Sequence, residues 1–205
     1  MSQEISNAFL QVLAFAFIPV LIFLIRFRTL KGVLPFHGIQ VAPWRALGLG
    51  ALFGVINAGL LLAIFLVPEE LRRVLLSPGT MTGKFRAMGW SGASLMLLVV
   101  DAMVKTALSE EILFRGFVAK RMIAVWGMRR GNIAQAILFG AVHTLIFLPI
   151  TQSPSFLIMI FLAPALVAYG IVIINERHAK GSIFPGWLAH GLGNVLAYSV
   201  VAFVI

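Results

Sequence analysis

The sequence predicts an all-α protein: a polytopic bundle of about six transmembrane helices, with interfacial helices between some of them. Three observations carry this. Of 205 residues, 60% are hydrophobic and only 11% are charged, against about 25% charged in an ordinary globular domain. Mean hydropathy is +1.02. The apolar residues fall in runs of roughly 20, the length a helix needs to cross about 30 Å of hydrocarbon. The net charge of +9 does not indicate a nucleic-acid partner, because the lysines and arginines cluster between apolar runs, as orientation signals do. The partner this composition implies is the lipid bilayer. The absence of cysteine excludes disulfides, zinc–thiolate sites and cysteine nucleophiles.

The elements follow in order. Residues 8–25 form a first span interrupted by Pro19, which a membrane helix tolerates. No basic residue precedes this run and no small-x-small site follows it, so it is expected to stay as a span. A polar connection holds Arg26, Arg28, Lys31, Pro35, His37, Pro43 and Arg45. The second span, about 46–67, offers Gly48, Gly50, Gly54 and Gly59 for close helix packing and ends at Pro68. Glu69–Leu76 reads as an amphipathic surface helix, followed by a Pro78-Gly79 turn. The third span starts near Ala93 and carries Asp101 and Lys105 four apart on one face, which reads as an internal ion pair. Its continuation over 117–128 should run into the interface. The fourth span is about 131–148, the fifth about 155–174 with a kink expected at Pro164, and the last about 183–205 after a polar loop over 175–182. Placing the basic connections after spans one, three and five in the cytoplasm gives a consistent alternation with both termini outside. No repeat, low-complexity tract or linker divides the chain, which reads as one integral membrane domain over 1–205.

The polar residues inside these spans carry the functional signal. Ser109-Glu110-Glu111-Ile112-Leu113-Phe114-Arg115 sets two carboxylates and an arginine at the end of an apolar run, where an acid is costly unless it faces protein or a wet cavity. Glu111 and Arg115 are four apart and share a helix face. Glu110 is turned about 100° away, so the two acids have different tasks: Glu111 pairs with Arg115, and Glu110 stays free. His143 shares a face with Phe139, and His190 shares one with Asn194. A glutamate, two histidines and an asparagine on three spans suggest one polar cavity. No serine sits in a G-x-S-x-G setting, so water is the expected nucleophile. Glu110 would take its proton, His143 would help hold it, and His190 with Asn194 would donate to the oxyanion. The reaction class is amide-bond hydrolysis, with no cofactor required. The competing account gives the two histidines and a glutamate a divalent metal, since they make a zinc set, although no H-E-x-x-H motif is present. The same residues could also form a purely structural network.

In order and spacing, Glu110-Glu111-x-x-x-Arg115, Phe139-x-x-x-His143 and His190-x-x-x-Asn194 resemble the three motifs of the CAAX-protease and bacteriocin-processing (CPBP, or Abi) family of intramembrane glutamate proteases. The surrounding stretches Glu-Glu-Ile-Leu-Phe-Arg-Gly-Phe and Gly-Trp-Leu-Ala-His-Gly-Leu-Gly-Asn are similar too. The resemblance spans about 101–200. It implies a catalytic set of Glu110, His143, His190 and Asn194, supported by Glu111 and Arg115. It also implies a membrane-associated peptide or protein as substrate, with a bacterial cytoplasmic membrane as the expected setting. With about six spans rather than eight, the chain departs from the family's endopeptidases that act on prenylated tails. Some relatives work instead as scaffolds or bacteriocin-immunity factors on a membrane partner, which is the alternative reading.

Overall fold

The first apolar run folds as helix α1, Ser2–Phe27, and continues unbroken through Pro19. The computed structural model describes residues 2–205 and holds no strand among the described residues. A short helix α2, Val33–Phe36, follows in the connection, then α3, Trp44–Leu66. Pro68 caps α4, Glu69–Leu75, the expected surface helix, which α5, Met81–Met88, follows. The next helical run extends from Gly92 to Phe147 and opens with α6, Gly92–Val100. Its start is fixed by a capping box in which Ser91 and Ser94 each accept the other's backbone N–H, at 3.0 and 2.9 Å. The closing helices are α7, Lys120–Phe147, α8, Pro154–Ile173, and α9, Phe184–Phe203.

Four stretches are long and apolar enough to cross a membrane: Ser2–Phe27, Trp44–Leu66, Gly92–Phe147 and Pro154–His178. This tally does not confirm the expected count of about six, for two physical reasons. The expected third and fourth spans form one 56-residue run, which reverses at Gly127, where φ 73° and ψ 167° are open to glycine. Beyond that turn Gly131 rests on the Ile123 backbone, so the part of α7 after Gly127 packs against the part before it. The last helix falls outside the set because His190, Asn194 and its glycines lower its apolarity.

Two expectations about packing need correction. Of the four glycines on α3, Gly50 and Gly54 lie against the carbonyls of Pro185 and Ala189 on α9, whereas Gly48 and Gly59 have nothing near them. The spacing of four puts Gly50 and Gly54 on one face, and that face alone is used. Asp101 is buried, but its nearer partner is Lys84 of α5 at 3.1 Å, with Lys105 at 4.0 Å. Lys84 also reaches Glu4 of α1 at 3.0 Å, so this cluster ties three elements rather than one helix face. Pro164 lies inside α8, which continues through it.

The apolar exterior, including Phe9, Leu13 and Phe17 of α1, Leu52 and Ile56 of α3 and Leu162 and Leu166 of α8, is exposed, as a lipid-facing surface is. Inside, Phe114, Ala136, Phe139 and Ala168 form the core cluster beside the polar residues. The loops after α1 and α8 interlock. Ile183 N–H donates to Gly38 at 2.9 Å, Ser182 Oγ to the Gln40 carbonyl at 2.7 Å, and Gln40 Nε2 to the Lys180 carbonyl at 2.7 Å. This fixes the start of α9 and hence the level of His190.

Candidate active site

The chain between α6 and α7 is wound as π-helix over Asp101–Leu108 and Glu111–Ala119, on either side of Ser109 and Glu110. Such i→i+5 winding is rare and concentrates at functional sites. It frees carbonyls for other partners here: Trp187 Nε1 donates to Met103 at 2.7 Å, and Gln11 Nε2 to Lys105 at 2.9 Å. The wide winding thereby docks α9 and α1 onto the segment that carries the acids.

Glu111 and Arg115 are both buried, with Nε 3.3 Å from Oε1. The guanidinium lies 4.0 Å from the Phe139 ring centre, a desolvated cation–π contact. Phe139, which the sequence offered only as a neighbour of His143, thus supports Arg115 and stacks 4.4 Å from the His143 ring. His190 lies between the acids. Its Nδ1 is 3.3 Å from Glu111 Oε1 and its Nε2 3.9 Å from Glu110 Oε2. A carboxylate only accepts, so the contact with Glu111 puts the proton on Nδ1. His143 Nδ1 donates to the Phe139 carbonyl at 2.9 Å, which leaves Nε2 as its free nitrogen. Glu110 Oε2 and Asn194 Nδ2 are buried without a hydrogen-bond partner among the described residues.

A cavity of about 190 Å³ adjoins this cluster. Arg115, His143, His190 and Asn194 line its polar end, and Leu61, Phe65, Phe147, Ile160 and Val167 line much of the rest. Glu110 and Glu111 are not among its lining residues; each contacts His190, which is. Thr106 and Tyr198 add hydroxyls to the wall. Tyr198 continues the His190–Asn194 spacing by one more turn, a signal the sequence carried. Among the described residues, no three histidine, aspartate or glutamate side chains gather as a metal-holding group.

An all-helical integral membrane protein with paired acids, two histidines and an asparagine around an internal cavity is the class that this fold and site define. The profile of the Type II CAAX prenyl endopeptidase Rce1-like family matches residues 92–196, just over half of the chain, and the chain belongs to that family. The match covers all six residues singled out from the motifs. The family is one of proteases, that is, hydrolases of the peptide bond. No curated protein and no solved structure matches the chain.

Proposed function

We propose that the protein is an intramembrane peptidase that hydrolyses a peptide bond of a membrane-associated peptide or protein by a glutamate-activated water. The observation that carries this reading is the convergence of His143, His190 and Asn194 on one cavity, with Glu110 3.9 Å from His190, in a chain of a protease family. Glu110 Oε2 is an acceptor without a partner, and neutral His143 presents the Nε2 lone pair. Together they would accept hydrogen bonds from the two O–H groups of one water, turning its oxygen lone pair to the scissile carbonyl. As the C–O bond forms, Glu110 removes a proton and the carbonyl oxygen becomes an oxyanion. Asn194 Nδ2 would donate to it, beside His190, whose Nδ1–H stays directed at Glu111. Collapse breaks the C–N bond and returns the proton from Glu110 to the leaving amine. Glu111 and Arg115 hold His190 and the helix, and touch no reacting atom. The apolar wall of the cavity suits a substrate segment drawn from the bilayer.

The test is cleavage of a membrane-peptide library by purified protein in detergent, read by mass spectrometry, with Glu110→Gln alongside and a chelator control. Cleavage by the wild type that disappears in folded Glu110→Gln supports the mechanism. Cleavage that persists in the variant sinks it, and cleavage lost to the chelator reassigns the histidines to a metal.

A further inference from the structure

Glu111 has two carboxylate oxygens, and the contacts above account for one. Oε1 faces both Arg115 Nε and His190 Nδ1, each at 3.3 Å. Oε2 is buried and lacks a hydrogen-bond partner among the described residues. A buried charged acceptor without a donor is among the costliest arrangements a fold can hold. Arg115 Nε, Nη1 and Nη2 are likewise buried without a hydrogen-bond partner among the described residues, so the guanidinium does not hold that oxygen. A second restraint is needed if His190 is to keep one orientation.

Asn175 presents a donor to the same space. It is 2% exposed and sits in the π-helical turn Ile174–His178 that closes α8. Its Oδ1 accepts the backbone N–H of Gly186, in the first turn of α9, at 2.9 Å. A peptide N–H only donates, so this bond fixes which end of the amide is oxygen and directs the –NH₂ elsewhere. That nitrogen is likewise buried and has no partner among the described residues. Gly186 shows where both groups lie. A Cβ built on it would be 2.6 Å from Asn175 Nδ2 and 2.8 Å from Glu111 Oε2. An orphaned donor and an orphaned acceptor thus flank one glycine without being bonded to each other, and a side chain there would displace both, together with Ile171 Cγ2 at 2.5 Å from the same point.

We propose that Asn175 is a positioning residue of the site: its amide N–H holds the free oxygen of Glu111, and Glu111 so fixed holds His190 in a single tautomer and orientation. Its effect on turnover rests on the peptidase reading, whereas the positioning itself does not. The charged and titratable groups around the His190 ring are Glu110 on one nitrogen, Glu111 on the other, and Arg115 and His143 beyond them. Asn175 acts on this set through Glu111 alone.

The experiment is ¹⁵N NMR of histidine-labelled protein in detergent, with the His190 signals identified by their loss in His190→Gln. Wild type should show His190 as one tautomer protonated at Nδ1. Asn175→Ala should show the two tautomers averaging. Asn175→Asp keeps the acceptor for Gly186 N–H and removes the donor, so it too should show the two His190 tautomers averaging. The His143 signals, fixed by the Phe139 carbonyl, report that the fold is intact in each sample. If Asn175→Ala fails to fold, Asn175→Asp decides. A single Nδ1-protonated His190 tautomer in folded Asn175→Asp would mean that Asn175 serves only the α9 backbone, and the proposal is overturned. No substrate enters this measurement, so failure of the wild type to cleave peptides bears on the peptidase reading alone. Where cleavage is seen, Asn175→Asp should lower kcat with KM unchanged.

Discussion

Removing Arg115 alone should destabilise the protein nearly as much as removing both members of its ion pair. Glu111 is 0% exposed and Arg115 2% exposed, so neither charge can be solvated by water when its partner is gone. Breaking a buried pair from one side typically costs about 3–5 kcal/mol. Arg115→Met keeps the packing volume against Phe139 but leaves the Glu111 carboxylate with His190 as its remaining charged contact. That range includes the loss of the cation–π contact with Phe139. The loss expected for Arg115→Met is therefore about 4 kcal/mol. Glu111→Gln should cost somewhat less, because the guanidinium keeps the Phe139 face. The double variant carries neither charge, so its cost should fall short of the sum of the single changes by about 2 kcal/mol, within the coupling expected of contacting residues. Unfolding in mixed detergent–SDS micelles, followed by tryptophan fluorescence, gives the three differences. The reasoning is refuted if Arg115→Met lies within about 1 kcal/mol of wild type, or if the single costs simply add, because either result would mean that water already reaches the pair.

Three further outcomes follow from particular contacts. Gly50→Ala or Gly54→Ala drives a Cβ into the α9 backbone and should cost about 1–3 kcal/mol, while Gly48→Ala and Gly59→Ala meet open space and should be neutral or slightly stabilising; thermal midpoints in detergent separate the two pairs, and equal effects would refute the assigned α3–α9 face. Burial holds the His37 imidazole below its ordinary value of 6.5, and the charges of Arg121 and Lys120 push the same way. The unfolded chain then binds the extra proton more readily, so this contribution is fully present above about pH 6.5 and is lost as pH falls through the lowered folded value; wild type should lose thermal stability between pH 7.5 and 5 to a greater degree than His37→Gln, and parallel pH profiles would contradict it. The chain has no cysteine, so single cysteines at Lys31, Arg129 and Lys180 should all be labelled from one side of a sealed vesicle and those at Gly79 and Gln152 from the other; a mixed pattern would overturn the alternation.

How much of this was legible in the sequence depends on the range of the forces involved. Apolar run length, the break at Pro68 and the face shared by Glu111 and Arg115 are local properties, so the helices and the ion pair could be read directly. The reversal at Gly127 was placed a few residues late, because a glycine flanked by Trp126 and Met128 gives no apolar minimum of its own; the basic Arg129-Arg130 pair draws the eye instead. The π-helical winding was invisible, since nothing in the composition of Asp101–Ala119 separates i→i+5 from i→i+4 pairing. With it went the Trp187 and Gln11 contacts to the freed carbonyls. Lys84 as the partner of Asp101 was hidden too, because contact between α5 and the catalytic segment is a matter of tertiary packing. So was Asn175, whose role depends on a glycine eleven residues away on another helix. The motif residues could be named, but the position of His190 between the two acids had to be seen.

Two adjacent glutamates that differ this much in surroundings should also differ in what their removal does, and this separates chemistry from folding. Glu111 contacts a guanidinium and an imidazole and is fully buried. Glu110 is 15% exposed at its side chain, lies 3.9 Å from His190 and has an oxygen with no partner among the described residues. Neighbouring carboxylates given different environments take different roles. Neutralising Glu110 removes an unpaired acceptor and a weak contact, so Glu110→Gln should leave stability within about 0.5 kcal/mol of wild type. Neutralising Glu111 strands Arg115 and should cost several times that. The same unfolding titration measures both. Equal losses would mean that the pair acts as one structural unit, and the loss of cleavage in Glu110→Gln could then no longer be read as loss of a base. A stable Glu110→Gln beside a destabilised Glu111→Gln makes the cleavage experiment decisive, because the protein that fails to cut is then the folded one.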